Sequence, residues 1–214
     1  MRIELNGVKK SYDGRPVLDI KKLEFGSGKI YAVLGPNGTG KTTMLRLIAG
    51  IEKNDSGKIY YDGDDKLPDK QVVFLMQKPY MFDLTVLENV LLGIKDRRMA
   101  REQAILALTQ VGMKEFINEK AGTLSGGEAQ RVAIARTLVT CKRIVLLDEP
   151  TSSVDVSSVR KVEEYIRKVN HEDKSTMIFT THDHSQADRI ADEIIMIECG
   201  RIKGKGKTED GFFE

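Results

Sequence analysis

Three short stretches carry residue types and spacings that could do chemistry on a phosphate. Gly35-Pro36-Asn37-Gly38-Thr39-Gly40-Lys41-Thr42 fits the pattern G-x-x-x-x-G-K-[ST]. Glycines let backbone N–H groups converge on oxygens that a Cβ would exclude, and a helix start adds partial positive charge. Lys41 can reach β- and γ-phosphates, the Thr42 hydroxyl can hold Mg²⁺, and Thr43 carries the cradle into the helix. Nucleotide binding is the expected chemistry. Further along, Asp148-Glu149 follows the apolar run Ile144-Val145-Leu146-Leu147. Asp148 there can hold Mg²⁺ through water, and Glu149 can polarise a water for attack on the γ-phosphorus. Alone, two acids after a strand more often mean a solvated loop; the phosphate loop upstream favours function. The third stretch is Ser125-Gly126-Gly127-Glu128. It fits a capping box, and it also fits a second anion site made of small residues, a hydroxyl and a positive helix end. The two readings are compatible.

These residues need elements to position them. The run 30–34 reads as a strand before the phosphate loop, and 43–50 as a helix closed by Gly50. Residues 2–5, 9–14 and 17–25 read as strands and turns, and 57–63 as another short strand. The unbroken apolar character of 71–76 predicts a buried strand. Helical spacing dominates 85–92, 100–111 and 125–138, with no strand between them. Beyond lie a strand at 144–147, a helix at about 155–170, a strand at 176–179, a helix at 185–191 and a strand at 193–197. Strands alternating with helices imply βαβ units, a mainly parallel sheet and a site at the strands' carboxyl ends. The basic segment 200–207 reads as an edge strand and tail, where lysines block mispairing. The organisation expected is α/β: a P-loop NTPase core with a mainly parallel sheet, an N-terminal antiparallel β-subdomain and an inserted α-helical subdomain. Residues 1–84 and 139–214 would form the core lobe, and 85–138 the helical one.

Composition narrows the class. At 214 residues the chain can bury a substantial core, and 40% hydrophobic with 31% charged residues is ordinary for a globular protein. A net charge of +2 without a dense basic block argues against nucleic acid as a partner. Cys141 and Cys199 are far apart and read as free core thiols in a reducing compartment. No charged-then-apolar leader opens the sequence, and no apolar run approaches the ~20 residues of a membrane span. Of the three histidines, His171 and His184 read as surface residues.

In this order, the phosphate loop, Leu124-Ser125-Gly126-Gly127-Glu128 and Leu147-Asp148-Glu149-Pro150 resemble the nucleotide-binding subunit of ABC (ATP-binding cassette) transporters, over nearly the whole chain. The resemblance implies an ATPase that uses ATP and Mg²⁺. It implies a head-to-tail homodimer, or a pairing with another ABC subunit, in which Ser125 and Gly127 contact the γ-phosphate held by the partner's Lys41 and Gly126 belongs to the same nucleotide-binding stretch. It also assigns single positions. Tyr12 would stack on adenine, Gln77 would touch Mg²⁺ and link core to helical lobe, and His182 would hydrogen-bond the γ-phosphate. Asp155 would cross the dimer interface; the family more often has Ala-Leu before that aspartate, where this chain has Ser153-Val154.

By the same resemblance the pore is a separate transmembrane permease, and a solute-binding protein could act through it. The chain would then sit in the cytoplasm on the inner face of the membrane. The short build is similar to importers of small solutes or oxyanions, tungstate-type ones included. Tyr80, Met81 and Phe82 would suit permease docking, and core packing explains them equally well. The nearest alternative is a cassette powering a membrane-anchored machine for lipoprotein release or cell division. Chromosome-type relatives would need a long coiled coil and translation-type relatives two cassettes. A small-molecule phosphotransferase would leave the signature and the Asp148-Glu149 pair unexplained.

Overall fold

The computed structural model describes residues 1–94 and 98–206. Its larger sheet has six strands: β3 (Ile30–Leu34), β5 (Val72–Leu75), β6 (Ile144–Leu147), β7 (Thr176–Thr181), β8 (Glu193–Glu198) and β9 (Arg201–Gly206). They lie in the order β5-β6-β7-β3-β8-β9. All pairings are parallel except β8 with β9. A smaller antiparallel sheet combines β1 (Ile3–Tyr12), β2 (Arg15–Phe25) and β4 (Ser56–Tyr61) in the order β2-β1-β4. The central strands β3, β6 and β7 are buried along their whole length, which is why their sequences are apolar without alternation.

Among the described residues there are six α-helices: α1 (Lys41–Ile48), α2 (Val86–Leu91), α3 (Ala100–Gln110), α4 (Gly126–Leu138), α5 (Val156–Asp173) and α6 (His184–Ile190). α2, α3 and α4 pack on one another. α2 and α4 each open on a complete capping box, Thr85 with Glu88 and Ser125 with Glu128. One core cluster, with Phe25, Tyr31, Leu45 and Ile48, joins the small sheet and α1 to the large sheet. The other, with Val132, Val162, Ile166 and Phe179, joins the large sheet to the helices.

Two expectations need correction. Residues 72–75 do form a strand, but β5 is the edge of the sheet and only Leu75 is fully buried; an edge strand has a neighbour on one side only. Cys141 and Cys199 are free thiols but both are exposed, not core residues. Each sits at a positive φ, +49° and +46°, in a connection between elements rather than on a buried helix or strand face. The basic C-terminal segment is an edge strand as far as Gly206, with Lys203 and Lys205 paired to Glu198 and Glu193; Lys207 lies outside the described residues. His171 and His184 are on the surface.

The register sets up the site. Leu34 pairs with Thr181, and Leu147 pairs with both Leu75 and Phe179. The segments that follow β3, β5, β6 and β7 therefore leave the sheet along one carboxyl edge. α1 is tied to the small sheet by the buried Tyr61 hydroxyl, which donates to the Ile48 carbonyl at 2.6 Å. Tyr61→Phe orphans that carbonyl and should lower unfolding stability by about 1–2 kcal/mol. A urea midpoint and slope indistinguishable from the parent protein would contradict this.

Candidate functional site

The loop after β3 is shaped by contacts that only glycine permits. A Cβ on Gly35 would lie 2.2 Å from the Ile197 carbonyl oxygen of β8. Gly40 has φ +95°, and its Cβ would stand 2.8 Å from the Val17 carbonyl oxygen. As the N-cap of α1, Gly40 offers no side-chain acceptor, so the first-turn N–H groups stay available to an anion. Thr39 Oγ1 closes the loop by donating to the Pro36 carbonyl at 2.9 Å. Lys41 is buried, and its Nζ donates to the carbonyls of Gly35 at 2.6 Å and Pro36 at 3.0 Å. Burial holds its pKa below the usual lysine range, although Glu149 and Asp148 pull the other way.

At the end of β6, Asp148 is only 2% exposed. It accepts from Thr42 Oγ1 at 3.0 and 2.9 Å and from Thr180 Oγ1 at 2.7 Å. The next residue, Glu149, adopts φ +44°, unusual for a side chain with a Cβ and costing about 1–3 kcal/mol. The Thr180 hydroxyl holds that bend by accepting from the Glu149 N–H at 2.9 Å. Gln77 Nε2 donates to Glu149 Oε2 at 3.3 Å, and His182 Nδ1 is 3.7 Å from the same oxygen. Asn37, Gly38, Gly40, Lys41, Thr42 and Thr43, with Val17, Gln77 and Glu149, line one cleft of about 360 Å³.

The Thr42 hydroxyl and Asp148 carboxylate, with the Gln77 amide nearby, are hard oxygen donors that fit Mg²⁺. Among the described residues no cluster of three or more His, Cys, Asp or Glu could cage a metal. Mg²⁺ takes one or two protein ligands and completes its shell with water and substrate phosphate.

Tyr12 ends β1 with its ring partly exposed. Its hydroxyl donates to the Glu52 carboxylate, which Arg46 of α1 also holds at 3.1 Å. Those two bonds, Tyr12 first, keep the Glu52 carboxyl below its usual range. Lys10 Nζ stands 5.2 Å from the Tyr12 ring centroid.

Ser125, Gly126, Gly127 and Asp155 do not line the cleft; they form a second cluster. Glu128 Oε2 accepts from Ser125 N at 2.8 Å and from its Oγ at 2.6 Å, and these bonds hold the Glu128 carboxyl below its usual range. Gly127 packs so tightly that a Cβ would come within 2.6 Å of the Ser153 carbonyl. Asp155 caps α5, accepting from Ser158 N at 3.0 Å, and Arg131 of α4 reaches it at 3.2 Å. The Ser157 and Ser158 hydroxyls push the Asp155 carboxyl down to about 2. Gln130, fully buried, joins this cluster to the first by donating to the Pro150 carbonyl at 3.1 Å.

Glu52, Gln130, Arg131 and Thr180 were not anticipated from the sequence. Gln130 offers a signal, a polar side chain on the buried face of a helix; Thr180 offers none, since a β-branched strand residue has no distinguishing mark. Of the three aromatic and sulfur side chains expected near Gln77, Tyr80 and Phe82 are 65% and 44% exposed and meet edge to face at 5.2 Å. Met81 is half-buried against the core.

With this geometry in place, comparison with known proteins is informative. A family model described as ABC transporter matches residues 18–152. The tungstate uptake system ATP-binding protein TupC of Peptoclostridium acidaminophilum is 39% identical over 218 residues, covering 100% of both chains. The probable sulfate/thiosulfate import ATP-binding protein CysA of Chlorella vulgaris is 35% identical, covering 98% of this chain and 93% of its own. Among solved structures, the dimeric post-hydrolysis state of the ATP-binding cassette MJ0796 bound to ADP and Pi superposes with a TM-score of 0.85. It is 30% identical and the match covers 97% and 99% of the two chains.

Within the site, Thr180 supports both carboxylate-bearing residues at once. Thr180→Val keeps the shape but removes a donor from buried Asp148 and an acceptor from Glu149 N. Unfolding stability should fall by about 1–3 kcal/mol, read from urea denaturation, and a loss below a few tenths would refute the support.

Proposed function

The chain belongs to the ABC transporter family, and on that footing we propose that it is the ATP-hydrolysing subunit of an oxyanion importer, working as a homodimer beneath a separate membrane permease. ATP binding and hydrolysis follow from membership in the family. The oxyanion assignment is supported by end-to-end similarity to a tungstate uptake subunit and by the sulfate/thiosulfate relative. No helix among the described residues is long and apolar enough to cross a membrane. Tyr80 and Phe82, exposed beside Arg136, offer the permease a docking face. That permease would hold the chain at the inner face of the membrane, and a solute-binding protein would deliver cargo to its other side.

The observation that carries the reading is the division of the chemistry into two clusters. The cleft is lined by the phosphate loop and Glu149, with buried Asp148 bonded to Thr42 at its edge. The capped start of α4, with Ser125 and Gly127, lies outside it beside Asp155. Two copies arranged head to tail would bring the second cluster of each over the cleft of the other, with ATP between them.

In this mechanism Tyr12, fixed by Glu52, presents its ring to adenine. The loop N–H groups and the start of α1 take the phosphates, and Lys41 exchanges the Gly35 and Pro36 carbonyls for β- and γ-oxygens. Mg²⁺, held at Thr42 and Asp148 with Gln77 alongside, would neutralise the β- and γ-phosphate charge. Glu149 accepts a proton from the attacking water. His182, close to Glu149 Oε2, donates to the γ-phosphate. Hydrolysis cuts the γ-phosphate from ADP, and its departure removes the contact that joins the two copies.

Glu149→Gln should still bind ATP, hydrolyse it at least ~100-fold more slowly, and accumulate as an ATP-bound dimer on size exclusion. Near-normal turnover would refute the base role. Persistent monomer under saturating Mg-ATP, alone and with the permease, would refute the dimer. Lys41 supplies a pH prediction. Burial lowers its pKa from the ordinary lysine range, and triphosphate favours the charged form, so binding takes up a proton between the free and bound values. ATP affinity should therefore fall as pH rises toward ~10. Calorimetry in buffers of different ionisation heat should register that uptake, and a pH-independent affinity would contradict it.

A further inference from the structure

Behind the catalytic edge, α5 and α6 are joined by a charged contact that the hydrolysis mechanism does not use. Glu163 of α5 is only 3% exposed. Arg189 of α6 grips it with both arms, Nη2 to Oε1 at 2.5 Å and Nε to Oε2 at 2.9 Å. Gln186, one turn before Arg189 and 2% exposed, donates to the same Glu163 Oε1 at 3.4 Å. Its Nε2 also donates to Thr151 Oγ1 at 2.6 Å. A planar bidentate pair fixes orientation as well as distance, which apolar packing of two helices would not require.

The endpoints of this contact give it meaning. α5 begins at its cap, Asp155, and Glu163 lies two turns, about 12 Å, along the same rigid helix. α6 begins right after His182 and Asp183, and carries Gln186 and Arg189 on one face. Thr151 lies in the turn between Glu149 and Asp155, whose Pro150 carbonyl is held from the other side by Gln130. Glu149, Thr151, His182 and Gln186 also surround one small cavity of about 210 Å³.

We propose that Gln186, Thr151, Glu163 and Arg189 form a strut that positions the interface residue Asp155 relative to the γ-phosphate contacts His182 and Glu149, and so couples the two ATP sites of the dimer. The proposal rests on the functional reading above. These are positioning residues: none lines the cleft that holds the phosphate loop. A shift of His182 when phosphate leaves would pass through α6 to Thr151 and α5. It would reach Asp155, which faces the other copy.

The test uses the full chain with its permease and compares Thr151→Ser, Thr151→Val, Gln186→Leu and the Val/Leu double variant. Thr151→Ser keeps the hydroxyl and should behave as the parent. Thr151→Val and Gln186→Leu should each lower kcat about tenfold, as small misplacements of catalytic groups do. ATP affinity should stay within about twofold, and cooperativity in ATP should be lost, because the bond lies outside the binding cleft. The double variant should be no worse than either single one, the signature of a shared interaction. Turnover and cooperativity unchanged in Thr151→Val, or losses that multiply in the double variant, would overturn the strut. Should Gln186→Leu fail to fold, the Thr151→Ser and Thr151→Val pair decides alone. Absence of ATP turnover in the parent protein would remove the functional reading and the strut together. A working parent with unaffected variants removes the strut only.

Discussion

A carboxylate taken out of water must be matched by donors, and at Asp148 this requirement organises the whole catalytic edge. Its oxygens accept from Thr42 at the start of α1 and from Thr180 near the end of β7. Three segments far apart in sequence are thereby joined at one anionic point. The Thr180 hydroxyl has a second task, since it also accepts the Glu149 N–H and holds that residue in its left-handed bend. The phosphate loop, the acid pair and the strand before His182 keep their relative positions because one buried charge needs them all.

Around that point the chain keeps charge in tension. Lys41 is desolvated and spends its donors on backbone carbonyls, while Glu149 is aimed at the cleft by a strained backbone and touched by Gln77 and His182. In the proposed mechanism Lys41 exchanges those carbonyls for phosphate oxygens, while Glu149 already faces the cleft. The loop geometry that makes this possible depends on absent side chains: β8 approaches Gly35 too closely for a Cβ.

The second cluster is arranged differently. Ser125 and Glu128 satisfy each other at the start of α4, and Arg131 reaches Asp155 at the start of α5, away from the cleft. A helix start whose cap is already complete is stable by itself and still presents positive potential outward. In the proposed dimer that potential meets the phosphates of the other copy. The Glu163–Arg189 pair behind it would then make the two clusters of one chain move together.

Much of this was written locally. A phosphate loop is a contiguous run whose glycines, lysine and threonine act through their own backbone, so the sequence by itself determined that cradle, the strand before it and the helix after it. The same holds for the capping box at Ser125 and for the buried central strands. Other features depended on which elements became neighbours. Whether 72–75 lay inside the sheet or at its edge was decided by strand order, which apolar character does not encode. Cys141 and Cys199 look like core residues by type and are exposed because both fall in connections between elements. Thr180, Glu52 and the Glu163–Arg189–Gln186 set have no local mark at all. Their roles arise from hydrogen bonds between residues tens of positions apart, and only the packed tertiary structure brings such donors and acceptors within reach.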